Sequence, residues 1–427
     1  MGVLFHFHCS LISAENSNYS RHPTVAAGEA ISRSGHQIMD THTLFNLRKF
    51  LAPEIVYGEG ALELAGRHAI NFGGTRALIV TDPGVREAGW AAQVEASLRA
   101  SGIPYVIFSN VTSNPKDFEV MEGVEVYKSE GCDLIIAVGG GSPMDCAKGI
   151  GVVAGNPGHI TDFEGVDEVL HPGPPLIFIP TTAGTSADVS QFAIITNTAR
   201  KAKIAIISKM VIPDIALVDP ETTVTMSPEL TAATGMDALC HAFEAFVSTA
   251  SSPLTDMSAL AAVQLIVDSL VCAYHEPANM TCRKNMMMAS LMAGLSFSNA
   301  SLGLVHAMAH SLGGCFGLAH GECNAMLLEH VVRYNYAVSA EKYDRLAKAM
   351  GGAVDAGAPA DKAAALTDRL ASLRRQLGIT QRLSGMGVLL SDIPRLAENA
   401  CKDPCLATNP RSASAGDIEK IYKRIYE

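Results

Sequence analysis

One aspartate and several histidines stand at spacings that suit a metal site. Asp237 and His241 are four residues apart, as are His306 and His310, so each pair lies on one face of a helix. His320 follows after a glycine-rich break. A carboxylate with several imidazoles is a common ligand set for divalent iron, zinc, cobalt or nickel, and polar groups inside apolar helices need partners. The pattern therefore predicts metal binding, but spacing alone does not say which of His306, His310 and His320 are ligands.

A glycine-rich turn, Gly139–Ser142, lies between an apolar run and a predicted helix over Pro143–Val153. Glycines allow a phosphate to approach the backbone closely, and a helix N-terminus offers free N–H groups and the positive end of a dipole. A proline costs little in the first helical turn. The turn favours a phosphate site, with a plain tight turn as the alternative.

Two more candidates stand where apolar runs end. Asp82 follows Ala77–Thr81, and an acid at such a place bonds ribose hydroxyls and repels a 2′-phosphate, which favours NAD over NADP. A turn residue in Asp82-Pro83-Gly84 is the plainer interpretation. The hydroxyl-rich run Thr181–Ser186 would either cap a helix or bond a cofactor.

The cysteines predict a reducing compartment. Ten of them are spread from Cys9 to Cys405 with no Cys-x-x-Cys pair, which is unlike a disulfide scaffold and predicts reduced thiols in the cytoplasm. Cys240, Cys315 and Cys323 flank the metal candidates and are interpreted as small core residues rather than as ligands or a nucleophile.

Up to about residue 220, continuous apolar runs alternate with helical stretches. Such runs suit parallel strands buried on both faces and covered by helices, so the pattern predicts a doubly wound α/β domain that carries an inserted hairpin. The predicted strands are Ala77–Thr81, Tyr105–Phe108, Leu134–Val138, Leu176–Pro180, Phe192–Thr196, Ile204–Ser208 and Ile215–Val218, and the predicted helices include Gly89–Ser101 and Asp117–Glu130.

After about residue 221 the pattern is helical and rich in Ala, Leu and Met. It predicts a second, all-helical domain and a cleft between the two domains, where small-molecule sites tend to lie. The predicted helices are Pro228–Thr249, Leu254–Tyr274, Arg283–Ser298, Gly303–Leu312, Asn324–Asn335 and Ala340–Met350.

Composition excludes several classes of protein. With 48% hydrophobic and 18% charged residues the chain is not disordered, and a net charge of −11 disfavours nucleic acid as a partner. Polar residues interrupt the best candidate span, Met286–Gly314, which is interpreted as a buried helix and not as a membrane segment. Met1–Ser13 lacks a basic start and a cleavage site, so a signal peptide is not predicted. Residues 1–38 have no clear period and are interpreted as a disordered arm or as a gene-model error upstream of Met39.

Together these motifs resemble the iron-containing alcohol dehydrogenase family (group III alcohol dehydrogenases). The resemblance runs from about residue 40 to the C-terminus and includes TNPR at 408–411. The matching segments are GGGSPMDCAKGIG (139–151), PTTAGTSADVS (180–190), ATGMDALCHAFEAF (233–246), SNASLGLVHAMAHSLGG (298–314) and AHGECNAMLLEHVVRYN (319–335).

The resemblance implies a fold and a set of site residues. The fold is an α/β N-terminal Rossmann-like domain plus an all-α C-terminal domain (the dehydroquinate synthase-like fold), placed here at 39–220 and 221–427. The implied metal ligands are Asp237, His241, His306 and His320, with His310 as a neighbouring proton-relay residue. The implied cofactor residues are Asp82, Asn114, Gly139, Gly140, Gly141, Ser142, Asp145, Thr181, Thr182, Thr185 and Lys203, and Phe297 and Leu302 face the substrate.

The implied function is a metal-dependent, NAD-linked alcohol dehydrogenase or aldehyde reductase for small alcohols and aldehydes. The alkoxide is stabilised on Fe²⁺, or on Zn²⁺ as in some relatives, and hydride passes to NAD. The family commonly forms homodimers or larger assemblies. The alternatives are a hydroxyacid–oxoacid transhydrogenase, a glycerol or diol dehydrogenase and a dehydroquinate synthase-like lyase. A metal-dependent hydrolase is less favoured because it would leave the glycine-rich turn without a function. A non-catalytic regulatory homologue is less favoured because the set of metal-ligand candidates is intact.

Overall fold

A computed structural model describes residues 49–352 and 357–426. These described residues cluster as one compact unit. The predictions for residues 1–38, a disordered arm or a gene-model error, lie outside the described residues.

Two sheets are built from the apolar runs. The main sheet has the strand order β1-β9-β6-β4-β2-β3 with every pair parallel, and in the smaller sheet, of order β5-β8-β7, β7 and β8 form an antiparallel hairpin. The strands are β1 Glu54–Tyr57, β2 Ala77–Val80, β3 Tyr105–Phe108, β4 Leu134–Gly139, β5 Gly165–Val166, β6 Leu176–Pro180, β7 Phe192–Asn197, β8 Ala202–Ile207 and β9 Ile215–Val218. The predicted strands and hairpin are therefore confirmed.

Burial explains why these runs become central strands. β2, β4, β6 and β9 are buried along their whole length, as expected where helices cover both faces of a parallel sheet. The helices of this part are α1 Ala65–Asn71, α2 Pro83–Glu87, α3 Trp90–Ala100, α4 Asp117–Ser129 and α5 Gly141–Gly155.

Beyond β9 the described chain is helical. The helices are α6 Pro228–Val247, α7 Pro253–His275, α8 Met280–Ala300, α9 Leu304–Phe316, α10 His320–Asn335, α11 Ala340–Ala349, α12 Pro359–Gln376, α13 Ile393–Ala400 and α14 Ala415–Tyr426. Hence the predicted fold class, an α/β part followed by an all-helical part, is confirmed. The boundary at 220 stays a prediction, because the contacts join both parts in one unit.

The segment 286–314 is buried helix, as predicted, and it is divided between two helices that correspond to the predicted Arg283–Ser298 and Gly303–Leu312. α8 ends at Ala300, α9 starts at Leu304, and the two helices bend by 99°. Ser301 between them has a φ of 62°, a conformation that continues no helix. The break turns the chain so that α9 can aim its histidines inward.

Of the described helices, α7 alone is long and apolar enough to cross a membrane, and the bent pair α8–α9 would pass the same test as one broken span. α7 packs against α6 and α8. Core helices of globular proteins meet the same criterion, so the finding is weak evidence for a membrane segment.

The prediction of reduced thiols is wrong for one pair. Cys272 near the end of α7 and Cys282 near the start of α8 form a disulfide across the turn between the helices. The antiparallel turn places their Cα atoms 6.2 Å apart, within the range a disulfide spans. Spacing along the sequence could not reveal this pairing. The other described cysteines are free.

Candidate active site

Three helices bring one carboxylate and three imidazoles together. α6 carries Asp237 and His241 four residues apart, α9 carries His306, and α10 begins at His320. The Nε2 atoms of the three histidines each lie 3.7 Å from Asp237 Oδ1. Ligands around a tetrahedral metal at 2.0–2.2 Å would be roughly 3.4 Å apart, so the four side chains fit a divalent transition metal.

The side chain of Asn324 marks the point where these groups converge. Its Nδ2 lies 2.6 Å from Asp237 Oδ1 and 3.1 Å from the Nε2 atoms of His306 and His320. Asn324 is buried, and its Oδ1 has no hydrogen-bond partner within the described ranges. Carboxylate and imidazole atoms from three helices are thus aimed at one small volume, and these are the ligand types that a divalent cation prefers.

The Nδ1 atoms of two of these histidines, on the side of the ring away from Asp237, have hydrogen-bond partners. His306 Nδ1 lies 2.6 Å from Glu244 Oε2, while Glu244 Oε1 accepts the backbone N–H of Val305 in the first turn of α9. His241 Nδ1 lies 3.2 Å from the carbonyl oxygen of Gly184. Such partners fix the tautomer and the ring orientation of a ligand. Sequence reasoning missed Glu244, although it stands seven residues after Asp237 on the same helix.

Burial and the carboxylates set the protonation of the cluster. Burial lowers the pKa of His241 to about 4 and the pKa of His320 well below its usual value. Burial would also lower the pKa of His306, but hydrogen bonds to Asp237 and Glu244 raise it to about 9. The neighbouring histidines hold the pKa of Asp237 far below its usual range despite its burial. At neutral pH the cluster therefore contains an ionised carboxylate and two neutral imidazoles. His306 is the third imidazole and is positively charged, with a proton on both ring nitrogens.

His310 occupies a different position from the other histidines. Its ring stacks on His320 with the centroids 5.2 Å apart, and its Nδ1 lies 2.8 Å from Asp403 Oδ2. His310, Asp403 and Cys405 form a second close cluster, separate from Asp237 and its partners. Asp403 and Cys405 were not among the sequence candidates. The geometry favours His306 and His320 over His310 as partners of Asp237.

The candidate cofactor residues lie where the sheet reverses its strand order. From β2 the chain adds β3 on one side of the sheet, and from β4 it adds β6 on the other side, so the strand order reverses between β2 and β4. Ligands of open parallel sheets bind at the carboxyl ends of the strands at such a point. Asp82 follows β2, Gly140 follows β4 and Thr181 follows β6. This topology explains why residues about 100 positions apart in the chain meet at one edge.

The glycine-rich turn forms the start of α5, which begins at Gly141, two residues earlier than predicted. Gly140 is its N-cap and supplies no side-chain acceptor for the first N–H groups. A Cβ on Gly140 would lie 3.2 Å from Thr182, and a Cβ on Gly141 would lie 3.1 Å from Thr185. Small residues are therefore needed where the Thr181–Ser186 loop approaches the helix, and the helix N-terminus stays open to an anion.

Asp82 has a structural task as well as a place at the cleft. Its Oδ1 accepts the backbone N–H of Val85 and so caps α2. Asn114, with a φ of 55°, donates its backbone N–H to Ser142 Oγ and fixes the loop beside the glycine-rich turn. Both residues line the same cavity.

Two charged groups lie deeper in the cleft. Burial raises the pKa of Asp145 to about 7 although lysines oppose the shift, and burial lowers the pKa of Lys203. The fully buried Lys148 donates to the carbonyl oxygens of Ser190 and Phe192, which shapes the wall formed by the start of β7. Lys148 was not among the sequence candidates, although it belongs to the segment that carries Asp145.

Apolar side chains cover the metal candidates. The Phe297 ring stacks on His241 at 4.3 Å between centroids and packs against Phe192, and Leu302 and Cys405 belong to the same buried cluster. A substrate that reaches this point meets mainly carbon surface.

One cavity of about 800 Å³ joins all these groups. Its lining contains every predicted site residue except Gly139: Asp82, Asn114, Gly140, Gly141, Ser142, Asp145, Thr181, Thr182, Thr185, Lys203, Asp237, His241, Phe297, Leu302, His306, His310 and His320. Gly139 ends β4, and its φ of 155° with Pro143 close by explains why it is a glycine. The cavity therefore places an open helix N-terminus and a metal-type cluster in one chamber.

Comparisons with known proteins agree across the described chain. The profile "Iron-containing alcohol dehydrogenase" matches residues 52–220, and "Fe-containing alcohol dehydrogenase family, C-terminal" matches residues 231–426. The chain is 40% identical to a 1,3-propanediol dehydrogenase of Citrobacter freundii over 90% of this chain and 100% of the relative. It is 39% identical to an NAD-dependent methanol dehydrogenase of Bacillus methanolicus over 88% of this chain and 98% of the relative. A solved 1,3-propanediol oxidoreductase superposes with a TM-score of 0.87 at 39% identity, covering 89% of this chain and 100% of that one.

Proposed function

This chain belongs to the iron-containing alcohol dehydrogenase family, and from that premise we propose that it interconverts small alcohols and aldehydes with NAD as the hydride carrier. The metal would be held by Asp237, His241, His306 and His320. One observation carries the proposal most directly: three imidazole nitrogens lie 3.7 Å from one carboxylate oxygen inside the cavity that also opens on the start of α5.

A divalent metal at this place would supply Lewis acidity that lowers the pKa of an alcohol hydroxyl. The residues of the chain would bind the cofactor and exclude water from the reacting groups. The first turn of α5 would hold the dinucleotide phosphates, beside the Thr181–Ser186 loop. Phe297 and Leu302 cover the reacting carbon and exclude water, which protects the transferred hydride.

His310 is placed to move the alcohol proton. Asp403 accepts from its Nδ1 at 2.8 Å, which leaves Nε2 available on the other side of the ring. An imidazole that lines the cavity and is oriented by a carboxylate is suited to general acid–base chemistry. His310 thus acts as the proton acceptor during oxidation and as the donor during reduction.

We assign NAD rather than NADP because of Asp82. A carboxylate at the end of β2 would hydrogen-bond the ribose hydroxyls and repel a 2′-phosphate. Replacing Asp82 with Gly should improve the kcat/KM ratio of NADP to NAD, measured at saturating alcohol. An unchanged ratio would remove Asp82 from the assignment. Because Asp82 also caps α2, the thermal stability of the Asp82→Gly protein should be measured together with its kinetics.

The substrate is proposed to be a short alcohol or diol. The apolar wall around Phe297 suits small carbon chains, and the similar proteins act on 1,3-propanediol and methanol by their names. The decisive experiment assays short alcohols, diols and 2-hydroxy acids with NAD on protein reconstituted with Fe²⁺ or Zn²⁺. Release of free NADH with alcohols supports the proposal. Turnover only with a paired oxo-acid acceptor, without NADH release, would make the protein a transhydrogenase instead.

Assembly and location complete the proposal. A homodimer or larger homo-oligomer is proposed from the family resemblance, to be checked by light scattering. A cytoplasmic location is also proposed, although the Cys272–Cys282 disulfide removes the argument from reduced thiols.

A further inference from the structure

A second cavity, of about 380 Å³, lies apart from the active-site chamber. α10, α12, α14 and the segment 380–382 form its walls. It shares no lining residue with the first cavity, and its lining is unusually basic for a chain with a net charge of −11. The lining residues are Met326, Glu329, His330, Arg374, Arg375, Thr380, Gln381, Arg382, Arg424 and Ile425.

Four arginines face one glutamate in this cavity. Arg374 is fixed, because two of its nitrogens bond both oxygens of Glu329 and a third donates to the carbonyl oxygen of Ile379. Within residues 49–352 and 357–426, Arg375, Arg382 and Arg424 make no ion pair and no side-chain hydrogen bond. The only carboxylate of the lining is therefore already neutralised, and three guanidinium groups remain available.

The other polar groups of the lining are also donors or can act as donors. Thr380 and Gln381 stand between the arginines of α12 and Arg382, and His330 lies beside Glu329. Burial is the main cause that lowers the pKa of His330; Glu329 opposes the shift, and the charges of Arg374, Arg333 and Arg424 add to it. A lining of this kind fits a ligand rich in acceptor atoms and negative charge.

We propose that this cavity binds a small polyanion of the di- or polyphosphate class. Guanidinium groups bind phosphate oxygens in a bidentate manner, and three unengaged arginines suit a ligand with more than one anionic group. The volume lies within the range of small-molecule sites. α10 connects the two cavities, since it begins with His320 and carries Glu329 and His330 three turns later.

Inorganic pyrophosphate is the probe. Calorimetric titrations use the metal-loaded protein with saturating NAD, so that the start of α5 is occupied, and metal content is measured before and after. The variants are Arg375→Ala/Arg382→Ala and, as a matched control, Arg369→Ala, an exposed arginine on α12 outside the cavity. Chelation and any binding in the active site are the same in all three proteins, so a difference between them reports on the second cavity.

The proposal predicts saturable binding to the parent protein, at least tenfold weaker binding to the double variant, and a change of less than twofold for Arg369→Ala. Citrate at the same ionic strength serves as a carboxylate probe and should bind more weakly than pyrophosphate. Equal pyrophosphate binding by the parent and the double variant would overturn the proposal. The proposal would also be overturned if the double variant differed from the parent protein only in its oligomeric state, measured by light scattering. That result would make the cavity an interface between copies of the chain.

Discussion

Glu244 acts on a ligand that another helix supplies. It extends from α6 to His306 on α9 and also accepts a backbone N–H at the start of α9. One buried carboxylate thus orients a proposed metal ligand and anchors the helix that carries it, and a negative charge near a helix N-terminus is stabilising.

Replacing Glu244 with Gln should weaken metal binding by about 10- to 100-fold, because His306 loses its charged partner while the side chain keeps its shape. The dissociation constant is measured by competition with a chelator. Glu229→Gln, an exposed position on the same helix, is the control and should change nothing. A folded Glu244→Gln protein with parental metal affinity would contradict this role.

Metal affinity should depend on pH through one proton. The pKa of His306 without metal is about 9, above the ordinary value of 6.5, so this histidine is protonated at neutral pH and its ion pairs stabilise the metal-free protein. That stabilisation is complete below pH 6.5 and is lost as the pH rises through about 9. Since a metal must displace the proton, affinity should rise by about tenfold per pH unit from pH 7 to 9. Chelator competition across that range tests this, and a flat profile would refute it.

The dyad of His310 and Asp403 should affect the proton step and not the metal. Burial would raise the pKa of Asp403, but His310 and a backbone N–H hold it at about 2, so the carboxylate is charged at any working pH. Asp403→Asn should leave metal content unchanged, slow alcohol oxidation by roughly 10²-fold and shift the pH–rate profile. The control is Asp268→Asn, an exposed position on α7. Loss of metal in Asp403→Asn would instead assign the dyad to the metal site.

The single residues show where sequence reasoning ends. The i, i+4 pairs were readable because helical geometry alone brings them together. Asp403 could not be found, because only the tertiary fold brings it to His310, 93 positions away. Asn324 was likewise hidden, since nothing local distinguishes an amide that faces three ligands from one that faces solvent.

At the scale of elements, the proposed cofactor site depends on the junction between β4 and α5. The strand, the glycines and the helix were predicted from their pattern, and the structure adds the reason for the glycines, which is the close approach of Thr182 and Thr185. The same loop serves the metal site, since the Gly184 carbonyl holds His241 and a Cβ on Gly184 would lie 2.5 Å from Thr234. The Thr181–Ser186 loop thus connects the two halves of the site.

Gly141→Ala should therefore weaken NAD binding while leaving metal content unchanged. The added Cβ would lie 3.1 Å from the Thr185 side chain, and overpacking of this kind costs about 1–3 kcal/mol of stability. Relief of this contact would displace the loop from the start of α5, so NAD affinity should fall. NAD affinity is read from protein fluorescence quenching. Gly416→Ala, where a Cβ meets nothing closer than 3.9 Å, is the control. Unaltered NAD binding in Gly141→Ala would show that the glycine-rich turn does not contribute to the cofactor site.

Element boundaries were less predictable than element types. The pattern placed a break between the predicted helices Arg283–Ser298 and Gly303–Leu312, but it did not show that the chain turns by 99° at that break. Apolar and small residues continue on both sides, so periodicity does not reveal the angle of the turn, which depends on the packing of α9 against α10 and α13. The disulfide between α7 and α8 was missed for the same reason, because its partners meet only once the antiparallel helices form.

At the scale of the molecule, the α/β part supplies the proposed dinucleotide site and the helical part supplies the proposed metal ligands. Order along the chain and the change from strands to helices were readable from composition and period. The strand order was not, because it depends on which crossovers the helices make. That order matters, since it places the ends of β2, β4 and β6 side by side facing α6 and α9.

The central claim is that Asp237, His241, His306 and His320 hold a metal on which NAD-linked alcohol oxidation depends. The most direct test measures metal content and NADH formation together in the parent protein, in His306→Ala and in His275→Ala, whose histidine is exposed at the end of α7. Parent and His275→Ala should bind about one metal per chain and release NADH with a short alcohol. His306→Ala should lose both the metal and the activity, and full activity of a metal-free His306→Ala protein would contradict the account.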